Sequence, residues 1–389
     1  MNQTNLSLKK LKGIKPKGVK TKTSSTFEIL LETGFNFVSK YEGFVGMMAY
    51  PHQLVSLRDK LCDDYLNSSV SELKFSEKNL IDFLKSRDYK EHSKTETVIF
   101  GLYSGLLLNS LTKRNKQINK RTIIQLNNLN YDYLFAYAKD IDTIILNNCK
   151  GEQILSGVGR DSVVNNIIVN NFEGEHLMTD TASNGKANFV WVDGFKGNDL
   201  GYMLAVDGGS IDFMHVQNFD GTFLGLRFGF GNKENGFINV LSLKNILSGG
   251  DLMYMLYAKR IFIDNMRPKS PQHYFKNITA DELIIKNSDT KYSGLDRDWS
   301  KIEDHNYVGT QKPRIKQVSK GLLAIPKYRK VSKEYKIKQL NNIISNYFKN
   351  STQDPEKFIK SMESIKPNYQ NLLNNFYKKL SKKNIKNDI

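Results

Sequence analysis

Cysteine and long apolar runs are scarce in this sequence, and both scarcities exclude classes of protein. The 389 residues include two cysteines, Cys62 and Cys149, which cannot build a disulfide framework or a cysteine-rich zinc site, so a reducing compartment fits best. The most apolar run, residues 99–108, is far shorter than the roughly 20 residues that a membrane span needs. No apolar segment of the kind found in signal peptides follows the first lysines. We therefore expect a cytoplasmic protein.

Acidic residues are scarce at the two ends of the chain, and the ends therefore carry the formal charge of +17. Residues 1–25 contain seven lysines and no acid, and residues 310–389 contain 19 Lys and Arg against five acids. The intervening residues 26–309 have a formal charge of −4. A polyanionic partner is therefore expected to bind the ends of the chain rather than its middle.

The N-terminal part of the sequence divides into a tail and a helical region. Residues 1–25 combine Lys, Gly, Thr and Ser with almost no large apolar side chains, which predicts a disordered basic tail. Residues 26–120 carry apolar side chains at helical spacing, with Ser76 as an N-cap and a strong helix that starts near Thr95. We predict a helical cap domain over this range.

A repeat of about 23 residues fills residues 121–288. Each unit contains an Asn, an apolar residue, any residue and usually a Gly, and successive fourth positions lie 20, 23, 23, 24 and 28 residues apart. A β-branched or apolar run, typical of a strand, precedes each motif. The six copies are Asn128-Leu-Asn-Tyr131, Asn148-Cys-Lys-Gly151, Asn171-Phe-Glu-Gly174, Gly194-Phe-Lys-Gly197, Asn218-Phe-Asp-Gly221 and Asn245-Ile-Leu-Ser-Gly249.

Units of this length bury their apolar faces against their neighbours in a stack. The sequence therefore predicts a mainly β protein with helical flanks, whose centre is a single-stranded parallel β-helix, or β-solenoid, of about six or seven coils. Equivalent asparagines would form a structural ladder, because stacked amides at a turn bond to one another and to the backbone. The ladder comprises Asn128, Asn148, Asn171, Asn218 and Asn245. A turn with positive φ explains the motif glycines, from Gly151 to Gly249.

The Asn-x-x-Gly repeats and the helical lead-in Gly101-Leu-Tyr-Ser-Gly105 resemble those of uncharacterised prokaryotic, specifically archaeal, β-solenoid repeat proteins. The resemblance covers about residues 94–288 and implies the solenoid fold, but no activity. Tyr131 and Gly194 depart from the motif. A leucine-rich repeat shares the period and is the alternative architecture, although Phe in place of Leu in one column favours the β-helix.

The C-terminal part is predicted to contain a closing loop followed by a basic unit. Residues 289–311 are interpreted as a capping loop, whose cluster Asp296, Arg297, Asp298, Asp304 and His305 is either a solvated cap or a site at the coil end. Residues 312–389 are predicted to be a basic linker and a helical unit. Pro313 and Pro326 argue against a continuous helix in the linker, and three amphipathic helices follow from Ile337 onward.

Enzymatic candidates within the repeats are few. Some right-handed β-helices are pectinases and lyases that act through Asp clusters, so converging carboxylates on one coil face would indicate an enzyme. No Gly-His-Gly signature accompanies the candidate acids, which we interpret as solvated turn residues: Asp180, Asp193, Asp207, Asp212 and Asp220. His176 and His215 lack a Cys or His at ligand spacing, so neither a metal nor a cofactor is predicted.

The basic stretch after residue 311 supplies the candidate nucleic-acid site, because phosphate neutralisation and base stacking together need cations and aromatic rings. The candidate residues are Lys312, Arg314, Lys316, Lys320, Lys327, Tyr328, Arg329, Lys330 and Lys333, with Tyr335 close by. We predict a non-enzymatic scaffold whose basic termini dock on nucleic acid or a nucleoprotein. Three alternatives stay open: a β-helix enzyme that acts on polysaccharide, a self-assembling structural protein, and basic ends that serve only as solubilising tails.

Overall fold

A computed structural model describes residues 25–46, 52–88, 92–225, 236–249, 256–268, 279–286, 315–319, 321–350 and 353–387. Within these ranges, helices precede and follow a single parallel sheet. The N-terminal helices are α1 (Thr26–Gly46), α2 (His52–Leu66), α3 (Glu77–Lys85) and α4 (Lys94–Gln117). The strands are β1 (Ile123–Asn127), β2 (Ile141–Glu152), β3 (Val163–Leu177), β4 (Lys186–Leu200), β5 (Ser210–Ile211), β6 (Met214–Gly221), β7 (Phe237–Ser248), β8 (Tyr257–Pro268), β9 (Thr279–Lys286) and β10 (Ile315–Ser319). The C-terminal helices are α5 (Gly321–Glu334), α6 (Ile337–Lys349), α7 (Pro355–Ile365) and α8 (Tyr369–Asn387).

The sheet is a parallel β-solenoid of about six turns, so the predicted fold class is confirmed. Each strand pairs in parallel with the strand one coil later, as when Ile144 pairs with Ile167 and Ile167 with Val190. A coil has three faces. The first face runs up to the motif Asn, as in residues 163–170, and the second face follows it, as in residues 172–177. A turn face, as in residues 178–185, closes the coil.

The corner between the first and second faces requires a left-handed residue. The ladder asparagines have φ between 52° and 55°, and Gly194 occupies the same position with φ 74°. Asparagine tolerates this conformation better than other non-glycine residues, which explains its recurrence. The amides also bond between coils, with Asn171 Nδ2 donating to Asn148 Oδ1 at 3.0 Å and Asn245 Nδ2 donating to Asn218 Oδ1 at 2.9 Å.

The second face brings backbones of successive coils together at the motif glycines. Gly151, Gly174 and Gly197 have φ of 146°, 153° and 149°. A Cβ at Gly174 would collide with the carbonyl oxygen of Gly151. The prediction fails for the last motif glycine, because Ser248 rather than Gly249 pairs with Gly221. Neither Gly221 nor Gly249 has a positive φ.

The turn face is a run of overlapping turns that the sequence did not predict. Tyr133, Phe135 and Tyr137 all have φ 56°, and the Ala136 N–H donates to the Tyr133 carbonyl at 3.0 Å. Phe135 is the third of the four residues in this turn, and a positive φ at the third position is typical of type II turns. Alternate N–H groups bond to the next coil, as when Tyr137 N–H donates to the Ser156 carbonyl at 2.7 Å. Every second residue therefore continues the inter-coil ladder.

Apolar side chains of the first face are buried on both sides of the sheet. Ile144 belongs to the core inside the coils, whereas its neighbour Ile145 points outward and is also fully buried. The outer column continues through Ile168 and Trp191, then through the polar His215 and Ser242, and then through Phe262 and Ile284. Strands buried on both sides read as continuous apolar runs. Here the outer cover is the C-terminal helical unit, residues 321–387.

The C-terminal helical unit runs along the whole first face and back. α5 packs on β9, near the end of the solenoid. The Tyr347 hydroxyl of α6 donates to Gln125 in β1, and α7 lies beside the same first coil. α8 then returns, so that Tyr369 stacks on Phe213 of the fifth coil with ring centroids 4.7 Å apart and the Tyr377 hydroxyl donates to Asp281 of β9. Consequently α5 and α8 lie side by side over β8 and β9.

The N-terminal helices cover the first coil. Gly101 and Gly105 of α4 approach its turn face so closely that a Cβ on Gly101 would collide with Tyr133, and one on Gly105 would lie 2.5 Å from the Ala136 carbonyl oxygen. Between them the Ser104 hydroxyl accepts a 2.9 Å hydrogen bond from the Phe135 N–H. These contacts protect the end of the stack, where backbone groups would otherwise lack partners.

The predicted linker differs from the structure in two places. Residues 315–319 form β10, which pairs in parallel with β9 and adds a strand to the sheet. α5 then passes through Pro326, although this proline argued against a continuous helix in the linker. The apolar contacts of α5 with β9 offset the hydrogen bond that the proline cannot donate. Three predicted features lie outside the described residues: residues 1–24 of the basic tail, the capping loop 289–311 and Pro313.

Candidate functional site

The structure places only part of the predicted basic strip. Lys312, Arg314 and Lys320 lie outside the described residues, and Lys316 lies in β10, where only the backbone is described. The other predicted residues share α5. Its exposed cationic side chains are Lys327, Arg329, Lys330 and Lys333.

The two tyrosines of the strip do not face solvent. Tyr328 is 7% exposed and Tyr335 is fully buried, and burial raises the pKa of both phenols. Tyr335 packs against Phe262 with ring centroids 5.6 Å apart, and the Tyr328 ring lies 5.0 Å from Lys286 Nζ. The expectation that Tyr328 or Tyr335 stacks on a nucleic-acid base is therefore wrong. The rings anchor α5 to the sheet instead, since they lie on its apolar side.

α5 and α8 enclose a basic cleft of about 370 Å³ over β8 and β9. Each helix contributes positions spaced by three, four and seven residues, the spacing of a single helix face. The sheet contributes three lining residues, α5 four and α8 four: Arg260, Glu282 and Ile284; Lys327, Lys330, Val331 and Glu334; Leu372, Asn375, Phe376 and Lys379. The formal charge of this lining is +2.

The base of the basic cleft is a closed polar network. Arg260 is 4% exposed, and its guanidinium donates to Glu282 Oε2 at 2.6 and 2.8 Å and to the Tyr335 hydroxyl at 2.8 Å. Burial alone would lower the pKa of Arg260, but Tyr335 and Glu282 outweigh burial and raise it, so the guanidinium stays cationic. Its carbon lies 4.4 Å from the centroid of the half-buried Phe376 ring. This network fixes the relative positions of β8, α5 and α8.

Phe376 and Lys379 were missed by the sequence analysis, as was the role of Arg260. Their meeting depends on the return of α8 to the end of the solenoid, which no local pattern predicts. One signal was present for the sheet residues: Arg260 and Glu282 lie 22 residues apart at the same phase of the repeat and pair across β8 and β9. Opposite charges at equivalent repeat positions can indicate such an inter-coil pair.

The candidate carboxylates of the solenoid have partners that explain them without catalysis. Asp180 pairs with Arg160, and burial raises its pKa above the ordinary range. Asp193 accepts hydrogen bonds from Gln217 Nε2 at 2.6 Å and from Asn218 Nδ2 at 2.7 Å. Asp212 lies 2.9 Å from Lys186 Nζ.

The two remaining candidate acids lie on different faces of the coil. Asp207 lies on the turn face, and Asp220 lies on the second face opposite Lys196. Asp207 shares the turn face with Asp180 and helps to raise the pKa of Asp180, whereas Asp193, Asp212 and Asp220 lie on the other two faces, so the five candidate acids do not all converge on one coil face. The cluster Asp296, Arg297, Asp298, Asp304 and His305 lies outside the described residues.

The histidines of the repeats occupy separate sites. His176 Nδ1 lies 3.0 Å from Asp199 Oδ2, and this hydrogen bond raises the pKa of His176. His215 is fully buried beneath the C-terminal helical unit, 2.9 Å from Ser242 Oγ and 3.3 Å from Gln217 Oε1. In the described part of the chain, no group of three or more His, Cys, Asp or Glu side chains could hold a metal ion.

Comparisons of the chain with models of protein families, with curated proteins and with solved structures found no match. None of the helices in the described ranges combines the length and the apolar character that a membrane-spanning helix requires.

Proposed function

We propose that this protein is a non-enzymatic scaffold that docks on nucleic acid, alone or within a nucleoprotein, through the exposed basic side of its C-terminal helical unit. The observation that carries the proposal is the two-sidedness of α5. Tyr328, Val331 and Tyr335 are buried on the sheet, whereas the lysines and the arginine between them are exposed.

The distribution of charge supports a polyanionic partner. Residues 321–387 contain 15 Lys and Arg against four acids. Solvation of the unit alone would be served by charges of either sign, but here one sign dominates on a helix that the sheet holds in place. A fixed row of cations attracts phosphates by long-range electrostatics and binds them by release of counterions. The seven lysines of residues 1–25 would add to the same attraction.

Substitution of charges is a better test than removal of the ends, because truncation would uncover the apolar outer side of the first face. The full chain is titrated with fluorescent single-stranded and duplex oligonucleotides at about 50 to 200 mM salt. The test variant replaces Arg329, Lys330 and Lys333 by Gln. The matched control replaces three exposed lysines of the helical cap, Lys74, Lys78 and Lys85, by Gln.

We expect salt-dependent binding that the α5 variant weakens and the cap variant leaves unchanged. The slope of log affinity against log salt should fall by about 0.7 to 0.9 for each phosphate contact that is lost. Absence of binding at low salt, or equal weakening by both variants, would remove the proposal. Oligomers that persist after nuclease treatment and grow with protein concentration would instead support the self-assembly alternative.

A further inference from the structure

We propose that the basic cleft between α5 and α8 is a binding site for one unpaired nucleotide of a single-stranded nucleic acid. Phe376 would provide the stacking surface for the base, and Lys327, Lys330 and Lys379 would bind the flanking phosphates. The inference rests on the proposed function and deepens it, because it names the form of nucleic acid and the residues that select it.

The basic cleft is large enough to hold a small ligand such as one nucleotide. Its volume of about 370 Å³ lies within the range of about 300 to 1,000 Å³ that is usual for small-molecule sites. Two helices form its walls and the first-face strands form its base, so the side chains project from fixed elements. Side chains on fixed elements lose little conformational entropy when a ligand binds.

The charges around the basic cleft favour phosphate at its rim. Arg260 at the base is engaged by Glu282 and Tyr335, so this buried cation is committed to the protein. Lys330 and Lys379 are exposed at the rim and come from opposite helices, and Lys327 lies one turn from Lys330. A phosphodiester backbone crossing the opening would therefore meet cations on both sides. Glu334 is the one lining carboxylate that is not bonded to Arg260.

Phe376 is the feature that favours a single strand. Its ring is half-buried, lines the basic cleft and is held by the Arg260 guanidinium at 4.4 Å. Bases stack on aromatic side chains only when they have left a duplex, since both faces of a paired base are already occupied. A duplex could contact the exposed lysines of α5, but it could not bring a base to Phe376.

The test compares Phe376→Leu with Phe348→Leu in the full chain. Phe348 is also partly buried in the C-terminal helical unit, but it lies on α6 and does not line the basic cleft. Lys379→Gln is compared in the same way with Lys349→Gln, an exposed lysine of α6. Anisotropy titrations use a labelled oligonucleotide of about 16 nucleotides, as a single strand and as the matching duplex.

We expect Phe376→Leu to weaken binding of the single strand about tenfold and to leave duplex binding unchanged. Phe376→Tyr should restore the affinity, and unfolding midpoints of all variants identify any that fail to fold. Equal affinity of Phe376→Leu and Phe348→Leu for the single strand would overturn the cleft assignment while leaving the proposed function intact. Equal losses for single strand and duplex would overturn the single-strand preference. Absence of any binding by the unaltered chain would remove both proposals.

Discussion

Arg121 and Glu363 are 242 residues apart in the chain and form an ion pair with Nη1 and Oε2 2.6 Å apart. Arg121 precedes β1, and Glu363 lies in α7, so this pair joins the C-terminal helical unit to the first coil. The same guanidinium binds both carboxylate oxygens of Asp142, at 2.7 and 3.0 Å. The C-terminal helical unit is therefore anchored to the folded body at α7 as well as at α5 and α8.

Replacement of Arg121 tests this connection. Arg121→Met should lower the free energy of unfolding by about 2 kcal/mol, because Asp142 is mostly buried and would lose its cation. Glu363→Gln should cost less than about 1 kcal/mol, since Glu363 is more exposed and its amide can still accept a hydrogen bond. Urea unfolding of the full chain measures both changes.

The control is Lys360→Met, which breaks the exposed ion pair with Glu356 within α7. This change should alter stability by no more than about 0.5 kcal/mol. A loss for Arg121→Met that is no larger than the loss for Lys360→Met would mean that the ion pair does not hold the C-terminal helical unit on the first coil.

The backbone contact between Gly151 and Gly174 leads to a second prediction. Gly174→Ala should lower the free energy of unfolding by more than about 2 kcal/mol, because φ of 153° is unfavourable for alanine and the new methyl group meets a backbone carbonyl. Gly43→Ala in α1 is the matched control, since a Cβ there meets nothing within 4 Å. It should stabilise the protein by about 0.5 to 1 kcal/mol. A similar effect of the two substitutions would contradict the close approach of the coils.

Removal of the C-terminal helical unit gives a third prediction. A chain that ends at residue 320 should retain parallel β-structure but bind hydrophobic dyes and associate, because Ile168, Trp191 and Phe262 would face water together. Dye fluorescence and light scattering measure this, with Tyr369→Ala as a milder variant that removes one contact with Phe213. A monomeric truncated chain without dye binding would show that the helices are accessory to the fold.

Sequence patterns predicted the solenoid but not its cover. The repeat period places Cys149, Phe172 and Phe195 in one column, and the register agrees. The run Phe189-Val-Trp-Val192 indicates a strand buried on both sides, yet nothing local identifies which segment lies on the outer side. The turn face escaped prediction because Leu155 and Met178 adopt left-handed φ values that apolar residues rarely take. The basic cleft forms only where α5 and the returning α8 lie together on the sheet. Local sequence patterns describe each segment separately and therefore could not predict it.

The burial of His215 predicts a loss of stability in acid. Burial lowers the pKa of His215 from 6.5 to about 3. The groups that face the ring are Trp191, Ser242, Gln217 and the charged Lys244, and Gln217 is itself bonded to Asp193 and to Asn341 of α6. Above pH 6.5 the imidazole is neutral in both folded and unfolded chains. As the pH falls below 6.5, His215 becomes protonated in the unfolded chain but stays neutral in the folded chain. The free energy of unfolding therefore decreases by about 1.4 kcal/mol per pH unit until about pH 3.

Other groups titrate in the same range, so the difference between variants is the informative quantity. His215→Gln should show a shallower decline than the unaltered chain, with the gap in unfolding free energy changing by about 2 kcal/mol between neutral pH and pH 5. His176→Gln supplies a control of opposite sign, because Asp199 raises the pKa of His176 and favours the folded state at acid pH. That contribution is lost as the pH rises through the folded pKa, and it is smaller because His176 is partly exposed. A gap between the unaltered chain and His215→Gln that does not vary with pH would mean that His215 is solvated, and that the C-terminal helical unit does not cover the fifth coil.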